Sequence, residues 1–151
     1  MIPLTERQLI ELGEDLGRRL PSGAVVWLEG ELGAGKTTLA QAIVTGRGGL
    51  GAEVRSPTYT LVHRHDGPFG QIAHVDCFRF RSADEGAELD WADLAASDLL
   101  LVEWPGRGGA WVPPPSLLVQ LQHTEFEELR TVVLVGDSVP DMPPGLEGKH
   151  V

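Results

Sequence analysis

Leucines recur with helical spacing near the start of the chain. The four positions are Leu9, Leu12, Leu16 and Leu20. This spacing predicts an amphipathic helix over residues 5–20, with the leucines on its buried face. Thr5 and Gln8 have the separation of a capping box, which would begin the helix at that point. The Pro-Ser-Gly sequence at residues 21–23 then ends it.

Apolar runs of strand length follow this helix. Residues 24–29, AVVWLE, predict a buried strand, and residues 36–46 predict a helix that ends at Gly46, as glycine ends many helices. Further strands are predicted over residues 59–65, 70–80, 98–104, 116–123 and 127–137. The turn sequence DGPFG joins the first two of these as a hairpin, and the last two alternate like an antiparallel pair. Ser82, with Glu85 three residues later, predicts the start of a short helix.

The order of these elements favours one class of fold. A strand–loop–helix unit combined with hairpins predicts an α/β domain with a mixed sheet. The length of 151 residues predicts a single domain, which we place at residues 1–136. Residues 137–151 are rich in proline and glycine, and we expect them to form a poorly ordered tail.

The charge balance argues against one class of function. The chain has 12 Lys and Arg against 22 Asp and Glu, a formal net charge of −10. A protein that grips nucleic acid alone usually carries a basic stripe, so we expect any contact with nucleic acid to be made by a partner. The single cysteine, Cys77, has no second cysteine with which to form a disulfide, which is typical of proteins in a reducing cytoplasm. We interpret it as a small buried residue. We find no secretory signal and no apolar run of membrane-spanning length, so we expect a cytoplasmic protein.

The sequence GELGAGKT, residues 30–37, matches the phosphate-binding pattern G-x-x-x-x-G-K-[ST] without a mismatch. Glycines let the backbone N–H groups of such a loop point at phosphates, and the following helix adds the positive end of its dipole. We expect Lys36 to reach the β- and γ-phosphates and Thr37 to bind Mg²⁺. The expected nucleotide-binding residues of the loop are Glu31, Leu32, Gly33, Ala34, Gly35, Lys36, Thr37 and Thr38.

Two carboxylates follow apolar strands. Glu103 ends the run LLLVE, the arrangement in which a buried parallel strand delivers a metal-binding acid, and we pair it with Thr37 as a Mg²⁺ ligand. Asp76 ends IAHVD and is the second catalytic candidate; which of the two acids orients water stays open. His74 shares a strand face with Asp76, so it either orients Asp76 or is a packed core histidine. We interpret two further histidines, His63 and His65, as surface residues and not as zinc ligands.

The segment SPTYT, residues 56–60, contains a further catalytic candidate. In phosphate-loop proteins a mobile segment often follows the first helix after the loop, and a threonine in that segment senses the γ-phosphate and Mg²⁺. Thr58 has that position. A hydroxyl that merely caps the start of a strand is the alternative.

Four motifs together resemble the TsaE family, over roughly residues 4 to 120. They are GELGAGKTTLAQAI, SPTYTLV, HVDCFRF and LLLVEWP, in this order. The resemblance implies a phosphate-loop ATPase domain with a mixed, largely parallel sheet, which binds ATP with Mg²⁺ and hydrolyses it slowly alone. It also implies association with the TsaB–TsaD complex, which modifies tRNA with threonylcarbamoyladenosine next to the anticodon, so that tRNA is contacted only through that complex. The site residues that it implies are Lys36, Thr37, Thr58, Asp76, Glu103 and Trp104.

The chain departs from the family pattern at three places. Phe78 stands where the family usually has tyrosine, so any role of that hydroxyl is lost. Gly86 interrupts the helix after the histidine strand, at a cost of up to ~1 kcal/mol in helix propensity. After the EWP motif the chain continues with Gly106–Gly109, whose one arginine, Arg107, is a candidate to reach a phosphate.

Two other functions compete with that of an accessory ATPase. A small-molecule kinase would use the same loop, but such enzymes need a lid with several arginines, and here the glycine-rich loop carries only Arg107. A nucleotide-gated binding module would bind ATP without useful turnover. Phosphate on an acceptor would favour the kinase, whereas a partner that stimulates hydrolysis would favour the ATPase.

Overall fold

A computed structural model describes residues 3–49 and 62–137 of the chain. The helices in these ranges are α1 (Glu6–Arg19), α2 (Lys36–Gly46), α3 (Ala83–Ala87) and α4 (Trp91–Ala95). The strands are β1 (Ala24–Gly30), β2 (Val62–Gly67), β3 (Gly70–Asp76), β4 (Leu99–Glu103), β5 (Leu117–His123) and β6 (Arg130–Val135). Two 3₁₀ segments, Cys77–Arg79 and Pro105–Trp111, follow β3 and β4.

The strands form one six-stranded sheet in the order β2-β3-β4-β1-β5-β6. The four inner strands, β3, β4, β1 and β5, run parallel. The edge strands β2 and β6 pair antiparallel with their neighbours, and the predicted DGPFG turn connects β2 to β3. The predicted fold class is therefore confirmed: a single α/β domain with a mixed, largely parallel sheet.

Each face of the sheet has its own apolar core. Helices α1 and α2 pack on one face, where the predicted leucines of α1 are buried with Ile43 and Leu101. On the other face Trp91 and Leu94 of α4 pack against Val75 and Val102. Within residues 3–49 and 62–137, none of the helices has the length and apolar character that crossing a membrane requires.

The first helix begins as its sequence predicts. The backbone N–H of Gln8 donates to Thr5 Oγ1 at 3.2 Å, and the N–H of Thr5 donates to Gln8 Oε1 at 2.9 Å. These reciprocal bonds form the capping box, which satisfies N–H groups that have no partner within the helix.

The end of α2 was predicted correctly, but for the wrong reason. Gly46 is the last residue of the helix and not the left-handed residue beyond it, which is Gly48 with φ of 88°. A Cβ on Gly46 would lie 2.1 Å from the carbonyl oxygen of Glu14, far inside any real contact. Gly46 is therefore required because α1 and α2 approach each other closely at this point.

A buried ion pair joins the end of α2 to the start of β4. Arg47 Nε and Nη2 donate to the two carboxylate oxygens of Asp98, each at 2.8 Å, and Nη1 donates to the carbonyls of Gly17 and Leu20. The hydrogen bonds from Arg47 lower the pKa of Asp98, and those to Asp98 raise the pKa of Arg47. One guanidinium thus connects α1, α2 and β4 at the edge of the sheet opposite the phosphate loop.

One predicted strand boundary and one predicted helix cap are corrected. Strand β3 ends at Asp76 rather than at residue 80, because Asp76 Oδ1 accepts the N–H of Phe78 at 2.9 Å and turns the chain into a 3₁₀ segment. Helix α3 begins after Ser82 as predicted, but without a capping box. Instead Glu85 Oε2 accepts the N–H of Arg81 at 2.7 Å.

The glycine within α3 makes a close contact with the segment after β4. A Cβ on Gly86 would lie 2.4 Å from the carbonyl oxygen of Gly108, so no larger residue fits without movement. The Gly86 carbonyl also accepts the indole N–H of Trp91 at 2.7 Å. The helix propensity lost at Gly86 is the cost of packing α3 directly on the Pro105–Trp111 segment.

We predict that Gly86→Ala destabilises the fold although it improves helix propensity. Overpacking against Gly108 costs about 1–3 kcal/mol, which exceeds the ~1 kcal/mol that alanine gains in a helix. The matched control is Gly106→Ala, because a Cβ there meets no atom within 4 Å. We expect the control to stay within about 0.5 kcal/mol of the parent in urea unfolding. Equal free energies of unfolding for the two variants would contradict the predicted clash.

Candidate functional site

Those predicted site residues that the structure describes meet at the carboxyl edge of the parallel strands. β1 leads into the phosphate loop, β3 ends in Asp76 and β4 ends in Glu103. In the strand register Asp76 lies beside Glu103, and Glu103 lies beside Leu28 of β1. Ligands of open parallel sheets bind at this edge, so the sheet brings the loop and both predicted carboxylates to one place.

The loop between β1 and α2 has the backbone form that its glycines predict. Gly33 has φ of 76° and Gly35 has φ of 105°, conformations that residues with a Cβ rarely adopt. Helix α2 then begins at Lys36, so its first N–H groups face the inside of the loop. Of the other predicted loop residues, Ala34 is fully buried, whereas Leu32 is 65% exposed at the tip.

The side chain of Lys36 lies inside the loop. Its Nζ donates to the carbonyl oxygens of Gly30 and Glu31 at 2.6 and 2.7 Å, and it lies 4.3 Å from the centre of the Trp104 ring. Burial lowers the pKa of Lys36, opposed by the negative charges of Glu103 and Asp76. The loop carbonyls and the aromatic face of Trp104 therefore hold the ammonium group of Lys36.

Trp104 has a strained backbone beside this lysine. Its φ of 55° and ψ of 50° make it the one residue other than glycine with a positive φ in the described part of the chain. The indole packs on Phe78 with ring centres 5.0 Å apart. Left-handed backbone in a bulky residue costs free energy and persists only where the surroundings demand it, commonly at functional sites.

Arg107 contacts aromatic residues in this structure. Its guanidinium lies 4.6 Å from the Phe78 ring centre, and Nη1 donates to the Phe78 carbonyl at 2.9 Å. Phe78 thus contacts both Trp104 and Arg107. A contact between Arg107 and a phosphate stays a prediction.

Glu103 is the centre of the polar contacts at the site. It is 3% exposed, and its Oε1 accepts a hydrogen bond from Thr37 Oγ1 at 3.2 Å. Its Oε2 lies 2.6 Å from His74 Nε2. Of the two alternatives for His74, its burial fits the packed histidine, and its hydrogen bond goes to Glu103 and not to Asp76. This contact was missed because it depends on which strand lies next to β3.

Asp76 lines the same cavity as Thr37 and Glu103, without contacting His74. The cavity measures about 280 Å³ and is also lined by Lys36 and Trp104. Burial raises the pKa of Asp76, and the hydrogen bond from the Phe78 N–H opposes this effect. A carboxylate whose pKa is raised accepts a proton more readily than an ordinary aspartate does.

Two further cavities flank the phosphate loop. One, of about 420 Å³, lies beside α1 and is lined by Thr5, Gly33, Gly35, Thr38 and Arg130 among others. The other, of about 740 Å³, follows β5 and is lined by Glu31, Trp104, Arg107 and Gln120 among others. Arg130 Nη2 also donates to the Gly33 carbonyl at 3.2 Å, so the β5–β6 hairpin holds the loop tip.

The remaining candidates have different outcomes. Thr58 and the segment SPTYT lie outside the described residues. Cys77 is buried as predicted, and burial raises the pKa of its thiol to about 12, which disfavours the thiolate form. His65 is buried, at 7% exposure, and His63 is half-buried, so the interpretation of both as surface residues is wrong. Among residues 3–49 and 62–137 no group of three His, Cys, Asp or Glu side chains is placed to hold a metal ion.

We predict that the backbone of Trp104 stores free energy that glycine would release. Trp104→Gly and Trp104→Ala both remove the ring, but only glycine adopts a left-handed backbone without penalty. The glycine variant should be more stable than the alanine variant by about 1 kcal/mol in urea unfolding. An alanine variant of equal or higher stability would show that position 104 is unstrained.

Known proteins resemble this chain in sequence and in fold. The family model described as threonylcarbamoyl adenosine biosynthesis protein TsaE matches residues 4–132. A protein of Haemophilus influenzae named tRNA threonylcarbamoyladenosine biosynthesis protein TsaE is 33% identical over 76% of this chain and 71% of its own length. A Streptomyces coelicolor protein of the same name is 44% identical, over 65% of this chain and 67% of its own.

The fold has a match among solved structures. The crystal structure of Bacillus subtilis YdiB superposes with a TM-score of 0.66 at 21% identity, over 85% of this chain and 79% of that one. This likeness supports the fold, and the sequence matches carry the relationship. Because the family model spans most of the chain and several relatives exceed 30% identity, the chain belongs to the TsaE family.

Proposed function

We propose that this protein binds Mg²⁺ and ATP and hydrolyses ATP as an accessory component of tRNA threonylcarbamoyladenosine biosynthesis in the cytoplasm. The observation that carries the proposal is the hydrogen bond between Thr37 and Glu103, inside the cavity next to the phosphate loop. It brings together the two oxygen ligands that phosphate-loop enzymes use for magnesium. Membership of the TsaE family supports the pathway.

The loop has the groups that triphosphate binding requires. Its N–H groups and the N-terminus of α2 would bind the phosphate oxygens. Lys36 would exchange the carbonyls of Gly30 and Glu31 for the β- and γ-phosphates. Its buried positive charge would then lie beside the negative charges of these phosphates. The base and ribose would extend into the 420 Å³ cavity beside α1, which shares Gly33, Gly35 and Thr38 with the loop.

The oxygen atoms beside the loop fit a magnesium ion. Mg²⁺ is usually bound by one or two carboxylates or hydroxyls together with waters and substrate phosphates. Thr37 Oγ1 and Glu103 Oε1, 3.2 Å apart, supply two such oxygens and leave the other positions to phosphates and water. When bound there, the ion would neutralise charge that develops on the β- and γ-phosphate oxygens.

Hydrolysis would need a group that orients the attacking water. Asp76 lines the cavity beside Glu103, and burial raises its pKa, so it is suited to accept a hydrogen bond or a proton from water. The water oxygen would bond to the γ-phosphorus while the bond to the β–γ bridging oxygen breaks, which yields ADP and phosphate. Lys36 would stabilise the charge on the leaving oxygen.

The proposed partner is the TsaB–TsaD complex, with tRNA reached only through it. The net charge of −10 disfavours direct binding to a nucleic-acid backbone. Slow hydrolysis alone, stimulated by the partner, is expected of a phosphate-loop protein that lacks an activating residue of its own. A nucleotide-gated binding module would bind the same partner without turnover.

We predict that Glu103→Gln retains ATP binding but lowers the rate of hydrolysis about 100-fold, because the loop and Lys36 remain while a metal-binding charge is lost. Phosphate release would be measured at saturating ATP and Mg²⁺. The matched control is Glu29→Gln, which makes the same change at a carboxylate of β1 outside the 280 Å³ cavity. Similar rates for the two variants would exclude Glu103 from the reaction.

We also predict that the TsaB–TsaD pair co-purifies with this protein in the presence of Mg²⁺ and ATP, and less well without nucleotide. The reason is that nucleotide would reorganise Lys36 and Trp104 at the site. Lys36→Ala, which loses phosphate binding, serves as the control. If folded, nucleotide-loaded protein never retains the pair, the partner assignment is wrong. In a separate assay, phosphate found on an acceptor molecule would favour the kinase.

A further inference from the structure

His74 forms a buried pair with Glu103, one of the two proposed magnesium ligands. His74 is 4% exposed on β3, and Glu103 is 3% exposed at the end of the neighbouring parallel strand β4. The 2.6 Å contact between His74 Nε2 and Glu103 Oε2 leaves Oε1 to Thr37. Each carboxylate oxygen is therefore held by a different side chain, from a different element.

The contact fixes which ring nitrogen carries the hydrogen. A carboxylate only accepts hydrogen bonds, so Nε2 must be the donor. Nδ1 is buried and has no hydrogen-bond partner among the described residues. A hydrogen on Nδ1 would leave a buried donor unsatisfied, whereas a lone pair there costs less. A hydrogen bond donated by Nε2–H to Glu103 Oε2 therefore fits this environment.

We propose that His74 is the positioning residue of Glu103. A glutamate side chain has several rotatable bonds, and at the end of a strand it must be held in one rotamer to present Oε1 beside Thr37. The Nε2–H of His74 supplies that restraint through Oε2, the carboxylate oxygen that Thr37 does not contact. The inference rests on the proposed function, since it assigns His74 a role in magnesium binding through Glu103. His74 itself touches neither metal nor nucleotide in this role.

A purely packed histidine would be buried in the same place, so the test must separate the hydrogen bond from the packing. His74→Gln and His74→Met provide that separation. The two side chains are unbranched and similar in length, but only glutamine offers an N–H near the position of Nε2. We would measure the affinity for a non-hydrolysable ATP analogue by calorimetry, in EDTA and across a series of Mg²⁺ concentrations. Thermal unfolding would be measured for the same proteins.

We expect His74→Met to raise the half-saturating Mg²⁺ concentration about 10-fold or more, as loss of a residue that orients a metal ligand commonly does. Its affinity for the analogue in EDTA should equal that of the parent. His74→Gln should restore the Mg²⁺ requirement to within about 3-fold of the parent, because it restores the donor. The methionine variant would thus need more Mg²⁺ without losing affinity for the analogue in EDTA, and glutamine would restore the Mg²⁺ requirement. A loss of packing alone is not expected to give this result.

Three results would overturn the inference. Equal Mg²⁺ dependence of the methionine variant and the parent would show that Glu103 does not need His74. Equal impairment of both variants, or loss of analogue binding in EDTA, would show that His74 acts through packing. In these cases the parent still binds nucleotide with Mg²⁺, so the proposed function stands. A parent protein that binds no nucleotide would remove the proposed function and this inference together.

Discussion

The parallel pairing of β1, β4 and β3 is the constraint on which the rest of the site depends. Because these strands run in one direction and in register, the loop after β1 and the acids that end β3 and β4 arrive at the same edge. No long loop is needed to bring them together. At the opposite edge the Arg47–Asp98 pair joins the start of β4 to helices α1 and α2. An ion pair with this burial stabilises the fold only while both partners remain, so it also specifies how β4 is placed.

The phosphate loop could be predicted from the sequence because all its determinants are local. Gly30 to Thr37 adopt their conformation within eight consecutive residues, and the strand before and helix after are visible in the apolar pattern. Glu103 could be predicted almost as well, since an apolar run followed by an acid marks the end of a buried strand. The capping box of α1 is local in the same sense, and both of its hydrogen bonds are present.

Features that depend on the neighbours in space could not be predicted. His74 shares a strand face with Asp76, which left Asp76 as one possible partner, but its hydrogen bond goes to Glu103 on the neighbouring strand. In the sequence, Gly86 and the glycines after Pro105 look like unrelated positions of low helix propensity. In the structure Gly86 and Gly108 are in contact. Gly46 is required at the end of α2 because Glu14 of α1 approaches it closely. In each case the missing information was which elements approach each other.

The lysine of the loop is paired within the protein. Its ammonium group is bound by two carbonyls of its own loop and faces the Trp104 ring. If the loop binds phosphate as proposed, the phosphate would have to compete with these carbonyls for the ammonium group, which would lower the net affinity relative to a loop with an unpaired lysine. The same carbonyls would bind the ammonium group again once the phosphate leaves. Under the proposed function, the contacts of Lys36 would therefore favour release of the nucleotide as well as allow its binding.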